Sequence, residues 1–214
     1  MSSISLTNAS NITELRFNSV STQKLGGTIQ SLDAFTNLEE FYIIDHELIG
    51  SIPDISNNAV LRELNCQKNQ LTGSIPDLSS NTVLEKYNCF KNQLTGNIPD
   101  ISSNTALDRF KCHDNNLTGD IPDLSNNTNL IEFHCFNNNL TGYAGGSVSS
   151  TLLSFEAYNN ILSASAVNSI LAAFVAAGAS GGTLNLGGTN AAPTGQGITD
   201  KATLISRGWS VTTK

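Results

Sequence analysis

At 214 residues the chain is long enough for one large domain or two small ones. With 39% hydrophobic and 14% charged residues it can bury a core, and a formal net charge of −7 makes it repel nucleic acid and anionic membranes. No apolar run approaches the ~20 residues of a membrane span, so neither a nucleic-acid partner nor membrane insertion is expected.

The opening MSSISLTNASNITE has neither a basic n-region nor an apolar h-region, so no secretory signal is visible. That favours a cytoplasmic or virion-associated protein over one exported by the Sec route. Ile12, Leu15, Phe17 and Val20 then read as a degenerate first strand.

From there the chain repeats itself. Leu25, Leu48, Leu71, Leu94, Leu117 and Leu140 stand 23 residues apart without a slip. Around them recurs L-x-x-[LFY]-x-[CI]-x-x-N-x-L-T-G-x-I-P-D-[LI]-S-x-N. Leu61, Leu64 and Cys66 of one copy alternate inward along a short strand. One copy cannot bury its apolar edge alone, so copies stack and their strands form a parallel sheet. Asn69, Asn92, Asn115, Asn138 and Asn160 fall where the chain leaves the strand, and their amides can satisfy backbone groups that the turn leaves unpaired. Gly73 permits a positive-φ bend, and Pro76 fixes an extended return. The second copy is irregular, with Ile43 in the cysteine column and His46 in the asparagine column.

After Leu162 the text changes. S-A-S-A-V-N-S-I-L-A-A-F-V-A-A-G predicts a serine-capped helix with Val167, Ile170, Leu171 and Phe174 on one face and Gly178 as its stop. Residues 183–190, TLNLGGTN, read as a strand with an asparagine turn. Residues 199–208 read as a second helix, and WSVTT from 209 as a last strand.

The repeat resembles the leucine-rich repeat family over roughly residues 10–162, and its L-T-G-x-I-P half is similar to the plant-type variant. The ending resembles C-terminal segments of repeat proteins from bacteria and their phages. The resemblance implies an α/β solenoid: a right-handed superhelix with a parallel sheet on its concave face, a mostly irregular or 3-10 convex side and a helix-bearing C-terminal cap. Residues 1–214 then form a single domain, with a cap and degenerate repeat at 1–24, 23-residue repeats at 25–162 and closing coils at 163–214.

Cys66, Cys89, Cys112 and Cys135 occupy one inward column. A disulfide framework and a zinc site are the functional alternatives, but a column spreads ligands along a line and gives adjacent thiols a poor dihedral, so buried core thiols are expected. Asp54, Asp77, Asp100 and Asp123 each follow a proline. They are expected to accept hydrogen bonds from nearby turn amides, with inter-rung Ca²⁺ as the alternative. His46, His113 and His134 have no catalytic motif around them; Glu132, Glu156 and His134 come near one another on the strand face without a pocket. No enzyme activity, metal or cofactor is expected.

If repeated letters are scaffold, the changing letters carry specificity. The outward columns run Glu14, Glu40, Glu63, Lys86, Arg109, Glu132, Ser154; then Arg16, Tyr42, Asn65, Asn88, Lys111, His134, Glu156; then Asn18, Ile44, Gln67, Phe90, His113, Phe136, Tyr158; then Ser19, Asp45, Lys68, Lys91, Asp114, Asn137, Asn159. Phe90, His113, Phe136 and Tyr158 make an aromatic row that scaffolding does not require. Lys68, Lys86, Lys91, Arg109 and Lys111 gather positive charge beside it on an otherwise acidic chain. With Tyr42 and His134 these residues form the candidate ligand face, since aromatic and cationic side chains concentrate at binding hot spots and ring faces stack on sugars. Cross-strand stacking and surface solubility explain the same residues without a ligand. The family resemblance implies binding rather than catalysis. The expected function is a recognition module for a protein or glycan, a host-cell surface among the candidates; the alternative is a structural or adhesive component of a phage virion or bacterial surface.

Overall fold

The computed structural model describes residues 11–17 and 24–214. Of the residues read above as a first strand and its outward columns, Val20, Asn18 and Ser19 lie outside the described residues. In chain order the elements are β1 (Glu14–Phe17), β2 (Glu40–Ile43), β3 (Glu63–Asn65), β4 (Lys86–Asn88), β5 (Arg109–Lys111), β6 (Asp120–Ile121), β7 (Glu132–His134), β8 (Gly142–Tyr143), β9 (Ser154–Glu156), α1 (Ala164–Ala177), β10 (Gly182–Leu186), α2 (Gln196–Ser206) and β11 (Trp209–Thr213). All but β6 and β8 join one parallel sheet, ordered β1-β2-β3-β4-β5-β7-β9-β10-β11. Each strand lies beside the next copy of itself, as stacked coils require.

Register is strict. Leu64 sits opposite Tyr87, Tyr87 opposite Phe110, Phe110 opposite Phe133, and Phe133 opposite Phe155. These inward rings stack with centroids 5.3, 5.5 and 5.6 Å apart. The row then turns edge-on into the C-terminal coils, Phe155 against Phe174 at 5.5 Å and Phe174 against Trp209 at 5.2 Å. Sequence reading saw only an interchangeable Leu, Phe or Tyr here; the structure makes it an aromatic spine. Cys66, Cys89, Cys112 and Cys135 line the next inward column as free, buried thiols, and burial pushes the Cys66 thiol up to about 12.

The rungs are clamped together by asparagine amides. Asn92 donates through Nδ2 to Cys66 O at 3.1 Å and Cys89 O at 2.9 Å, and its Oδ1 accepts the Leu71 N–H at 3.0 Å. One side chain thus ties together two rungs. Asn69, Asn115, Asn138 and Asn160 do the same, and Asn190 continues the row into the cap through Ala157 O, Leu186 O and the Leu162 N–H. Where His46 stands in this column, its Nε2 lies 3.0 Å from Phe17 O, replacing one of the amide's two donor contacts.

A second asparagine row escaped the sequence reading. Asn58, Asn81, Asn104 and Asn127, the last letter of each D-[LI]-S-x-N, are buried on the return side. Asn104 Nδ2 donates to Leu78 O at 2.9 Å and Asn81 O at 2.8 Å, and the other three repeat the pattern. Successive three-residue turns carry the chain past this row, with Asn81 N–H on Leu78 O and Leu84 N–H on Asn81 O. Flanking the sheet, Thr72, Thr95, Thr118 and Thr141 donate backbone N–H groups to Gly50, Gly73, Gly96 and Gly119 of the preceding rung, and β6 pairs with β8. Gly73 adopts φ +76°, as the L-T-G bend requires.

The closing coils carry the expected helix, strand, helix and strand, with one correction. Ser163 caps α1 by accepting the Ala166 N–H, and Gly178 ends it at φ 73°. Helix α2 begins at Gln196 and ends at Ser206, earlier at both ends than the span 199–208, because Gly195 rather than Thr199 precedes its first turn. Leu25 also departs from the leucine column. It is 53% exposed where Leu48 is 2% exposed, because its segment hangs on the next rung through Gly26 N–H to His46 O (3.0 Å) and does not pack inward.

The two kinds of buried polar group should respond oppositely to removal. Asn115→Ala orphans the Leu94 N–H and takes one of two amide donors from the Cys89 and Cys112 carbonyls, which keep Asn92 and Asn138; a buried unpaired group costs ~1–3 kcal/mol. The Tyr87 hydroxyl is buried with no hydrogen-bond partner among the described residues. Urea denaturation should show Asn115→Ala losing about 2 kcal/mol, whereas Tyr87→Phe gains about 1 kcal/mol. A destabilised Tyr87→Phe protein would contradict the unpaired hydroxyl.

Candidate functional site

The strands are only three residues long at the centre, so the outward face is built by two positions on each strand and two just beyond it. In the first column Lys86 Nζ lies 3.2 Å from Glu63, and Arg109 Nε 3.5 Å from Glu132. Lys111, one column on, also pairs with Glu132. Three of the five cations singled out from sequence are therefore neutralised by carboxylates on a neighbouring rung. Burial alone would raise the Glu132 carboxyl, but Lys111 and Arg109 hold it below its usual value.

The third column is a continuous ring stack. Phe90 and His113 lie 4.3 Å apart, His113 and Phe136 4.1 Å, and Phe136 and Tyr158 4.4 Å, with planes within 17° of parallel. His113 is buried in this row, and Phe90, Phe136 and Tyr158 are half-buried. Because each ring covers the next, the row presents ring edges outward; no described ring continues the stack beyond Phe90 or Tyr158.

The fourth column has a backbone constraint that the sequence reading did not recognise. Asp45, Lys68, Lys91, Asp114, Asn137 and Asn159 all adopt the left-handed conformation, φ 51° to 61°. Asn and Asp suit it best among residues with a side chain. Their presence just before the ladder asparagine was the available signal. These side chains also form a polar row beside the rings. His113 Nδ1 lies 2.9 Å from Asp114 Oδ2, Asn137 Nδ2 donates to Asp114 Oδ1 at 2.6 Å, and Asn159 Nδ2 donates to Asn137 Oδ1 at 2.9 Å. Burial would raise the Asp114 carboxyl, yet the hydrogen bonds from Asn137 and His113 bring it below the ordinary range. Lys68 and Lys91 are exposed and make no ion pair or side-chain hydrogen bond with a described residue.

The structure therefore gathers most of the expected residues on β4 to β9 but leaves Tyr42 out. Tyr42 lies under the Arg16 guanidinium, 3.8 Å from its ring centroid, among Glu14, Glu40 and Glu63 at the acidic start of the sheet. His134 joins the centre, its Nε2 2.8 Å from Ser154 Oγ. Asp54, Asp77, Asp100 and Asp123 sit elsewhere, on the exposed return turns. Each accepts the N–H of the serine two residues on, at 2.8 to 2.9 Å. Among the described residues no group of three or more His, Cys, Asp or Glu side chains could hold a metal ion.

Comparison with solved structures places this architecture. The leucine-rich-repeat ectodomain of the Arabidopsis receptor kinase HAESA, solved with an N-terminally extended IDA peptide hormone, is 31% identical with TM-score 0.59. That match covers 71% of this chain and 26% of the receptor chain. The chain has the leucine-rich-repeat fold. The plant peptide hormone receptor RGFR1 in complex with RGF2 gives 25% identity and TM-score 0.63 over 78% of this chain and 27% of its own. A plant ice-binding protein shares the fold at 21% identity and TM-score 0.60, covering 94% of this chain and 73% of its own. The leucine-rich-repeat chain here spans less than a third of the receptor chains it matches. No family model matches the sequence, and no curated protein matches it.

Burial lowers the His134 pKa from its ordinary 6.5 to about 4, assisted by Lys111, and burial lowers His113 too. Both are depressed in the folded state, so the unfolded chain binds protons first as the solution is acidified. Stability is then complete above pH 6.5 and falls as pH drops from 6.5 toward about 4. Asp114 and Glu132 add losses only lower, near and below their ordinary values of 3.8 and 4.5. Denaturant midpoints across this range should decline for the native protein and flatten for His134→Gln. An unchanged slope in that variant would show that another group titrates.

Proposed function

We propose that this chain is a non-catalytic recognition module that captures an extended segment of a partner protein on the concave sheet face from β4 to β9. The observation that carries the reading is the four-ring stack from Phe90 to Tyr158, set between an ion-pair network on one side and the left-handed row Lys91, Asp114, Asn137 and Asn159 on the other, with Lys68 one rung before it. Rigid aromatic groups beside charged ones provide contact area at little entropic cost, the composition of binding hot spots. Lys68 and Lys91 are the two cations of this face without an ion pair to a described carboxylate, so the segment they favour carries acidic side chains. The two hormone-receptor complexes support a peptide or protein ligand over a glycan. Ring geometry supports the same choice. Sugars stack on ring faces, and here the faces are covered by neighbouring rings.

The test is selection of binders from a random peptide display library, followed by titration calorimetry. Selected peptides should be rich in Asp and Glu. Phe90→Ala combined with Phe136→Ala should weaken them at least about tenfold, in keeping with aromatic hot spots. Loss of stacking should lower stability only by ~0.2–1 kcal/mol per pair. Undiminished affinity in the double variant would remove the concave-face site and leave the spacer role. A glycan array that binds while peptides do not would replace the ligand class.

A further inference from the structure

Most of the charge on the concave face is balanced within the chain itself. Arg16 pairs with Glu14 and Glu40, Lys24 with Asp45, Lys86 with Glu63, and both Arg109 and Lys111 with Glu132. Asp114 is held by His113 and Asn137. In the four outward columns, three charged side chains lack an ion pair with a described residue: Lys68, Lys91 and Glu156. A charge that already has its counter-charge offers a ligand little, whereas an unpaired one gains a partner only from outside. These three positions mark where a ligand's own charges belong.

The three do not share a column. Lys68 and Lys91 stand in the fourth, on successive rungs at the bends that follow β3 and β4, and both are exposed. Glu156 stands in the second, half-buried at the end of β9. The ring row of the third column runs between them, so a line from Lys91 to Glu156 crosses the stack obliquely. That line spans three rungs, β4 to β5 to β7 to β9. With rungs ~4.8 Å apart and residues ~3.3 Å apart along a strand, it measures ~16 Å, about five residues of an extended chain. The offset between cations and rings is firm, because the Lys68 N–H is bonded to Phe90 O and the Lys91 N–H to His113 O.

We infer that the captured segment is charge-asymmetric and lies obliquely across the rings, with an acidic pair on Lys68 and Lys91 and a basic side chain on Glu156. The inference rests on the peptide-capture reading above and adds to it the order and spacing of the ligand's charges. Alternate residues of an extended segment share one face ~6.6 Å apart, which two flexible lysines on rungs ~4.8 Å apart can both reach. The base then follows about five residues beyond the acid on Lys91. Uncharged residues suit the stretch between, because Arg109, Lys111, His113 and Glu132 along that path already have partners.

Titration calorimetry of the whole chain with end-blocked synthetic peptides tests this. Each peptide carries an Asp-x-Asp pair and one Lys, set from about two to about nine residues apart and made in both chain orders. Affinity should peak where the Lys lies about five residues from the nearer Asp. Lys68→Asn with Lys91→Asn, and separately Glu156→Gln, should weaken the best peptide by up to about fivefold per lost pair. The bend already holds Asn at 137 and 159 and Asp at 45 and 114, so these changes keep the fold. Lys68→Asp and Lys91→Asp combined with Glu156→Lys should make the protein prefer the charge-swapped peptide. Phe90→Ala with Phe136→Ala should weaken every peptide. Ring-dependent binding that ignores the separation, the lysines or Glu156 overturns the charge order and leaves the recognition reading standing. So does failure of this set while library-selected peptides bind. No binding from either source, or binding that survives ring loss, overturns both.

Discussion

Everything in this molecule depends on one interaction, the buried asparagine amide that bridges two successive rungs. Three backbone groups converge on each side chain, an N–H with no other partner and two carbonyls shared with the neighbouring asparagines, and a group left unpaired in the interior costs ~1–3 kcal/mol. The amide of Asn92 reaches Cys66, Cys89 and Leu71, so it fixes both the turn it belongs to and the offset between rungs. A slip of one residue would break all three contacts and turn the inward column outward. Register follows from the asparagine rows, and the aromatic rows follow from register. Stacking centroids at 4.1 to 4.4 Å on the outer face need rings delivered at the same height on every strand.

The inner and outer ring rows make different use of the same delivery. Tyr87, Phe110, Phe133 and Phe155 stack 5.3 to 5.6 Å apart in the core, where neighbouring apolar side chains surround them. Phe90, His113, Phe136 and Tyr158 approach more closely with no core to fill, so the rings cover one another. This closeness preorganises the outer row, since its members lose little freedom when a ligand arrives. It also makes the row selective, because a ligand must work with edges and with the charges alongside.

Sequence legibility tracked periodicity. The 23-residue leucine spacing was enough to place the strands of the main sheet from β2 to β9, the core thiols and the ladder asparagines, because each is set by repetition; the short pair β6 and β8 was not foreseen. The α1 face was equally readable, since Val167, Ile170, Leu171 and Phe174 have helical spacing and all prove buried. Features that depend on neighbouring rungs were harder. The salt bridges from Glu63 to Lys86 and Glu132 to Arg109 join residues 23 apart, and nothing local in the sequence marks them as pairs. Asn58, Asn81, Asn104 and Asn127 were given no role because burial of the return side is invisible to a strand-based reading. Leu25 fitted the period and still proved exposed, since periodicity predicts packing only where a full rung lies on both sides.

The left-handed column shows how such a scaffold accommodates specificity. A lysine held at φ near 55° is less comfortable than Asn or Asp, at a cost of order 1 kcal/mol. Lys68 and Lys91 nevertheless occupy this conformation because the next residues, Asn69 and Asn92, anchor the bend through three hydrogen-bonded partners each. The Lys68 N–H is itself fixed on Phe90 O at 3.0 Å, and the Lys91 N–H on His113 O at 3.0 Å. Backbone geometry is therefore imposed from the interior, and the exposed side chain is free to vary within it. At Asp114, Asn137 and Asn159 the position serves a hydrogen-bonded row; at 68 and 91 it holds out a cation from a rigid bend. A column whose conformation is settled by its buried neighbour can change chemistry without changing shape, which is the property a binding surface built on repeats requires.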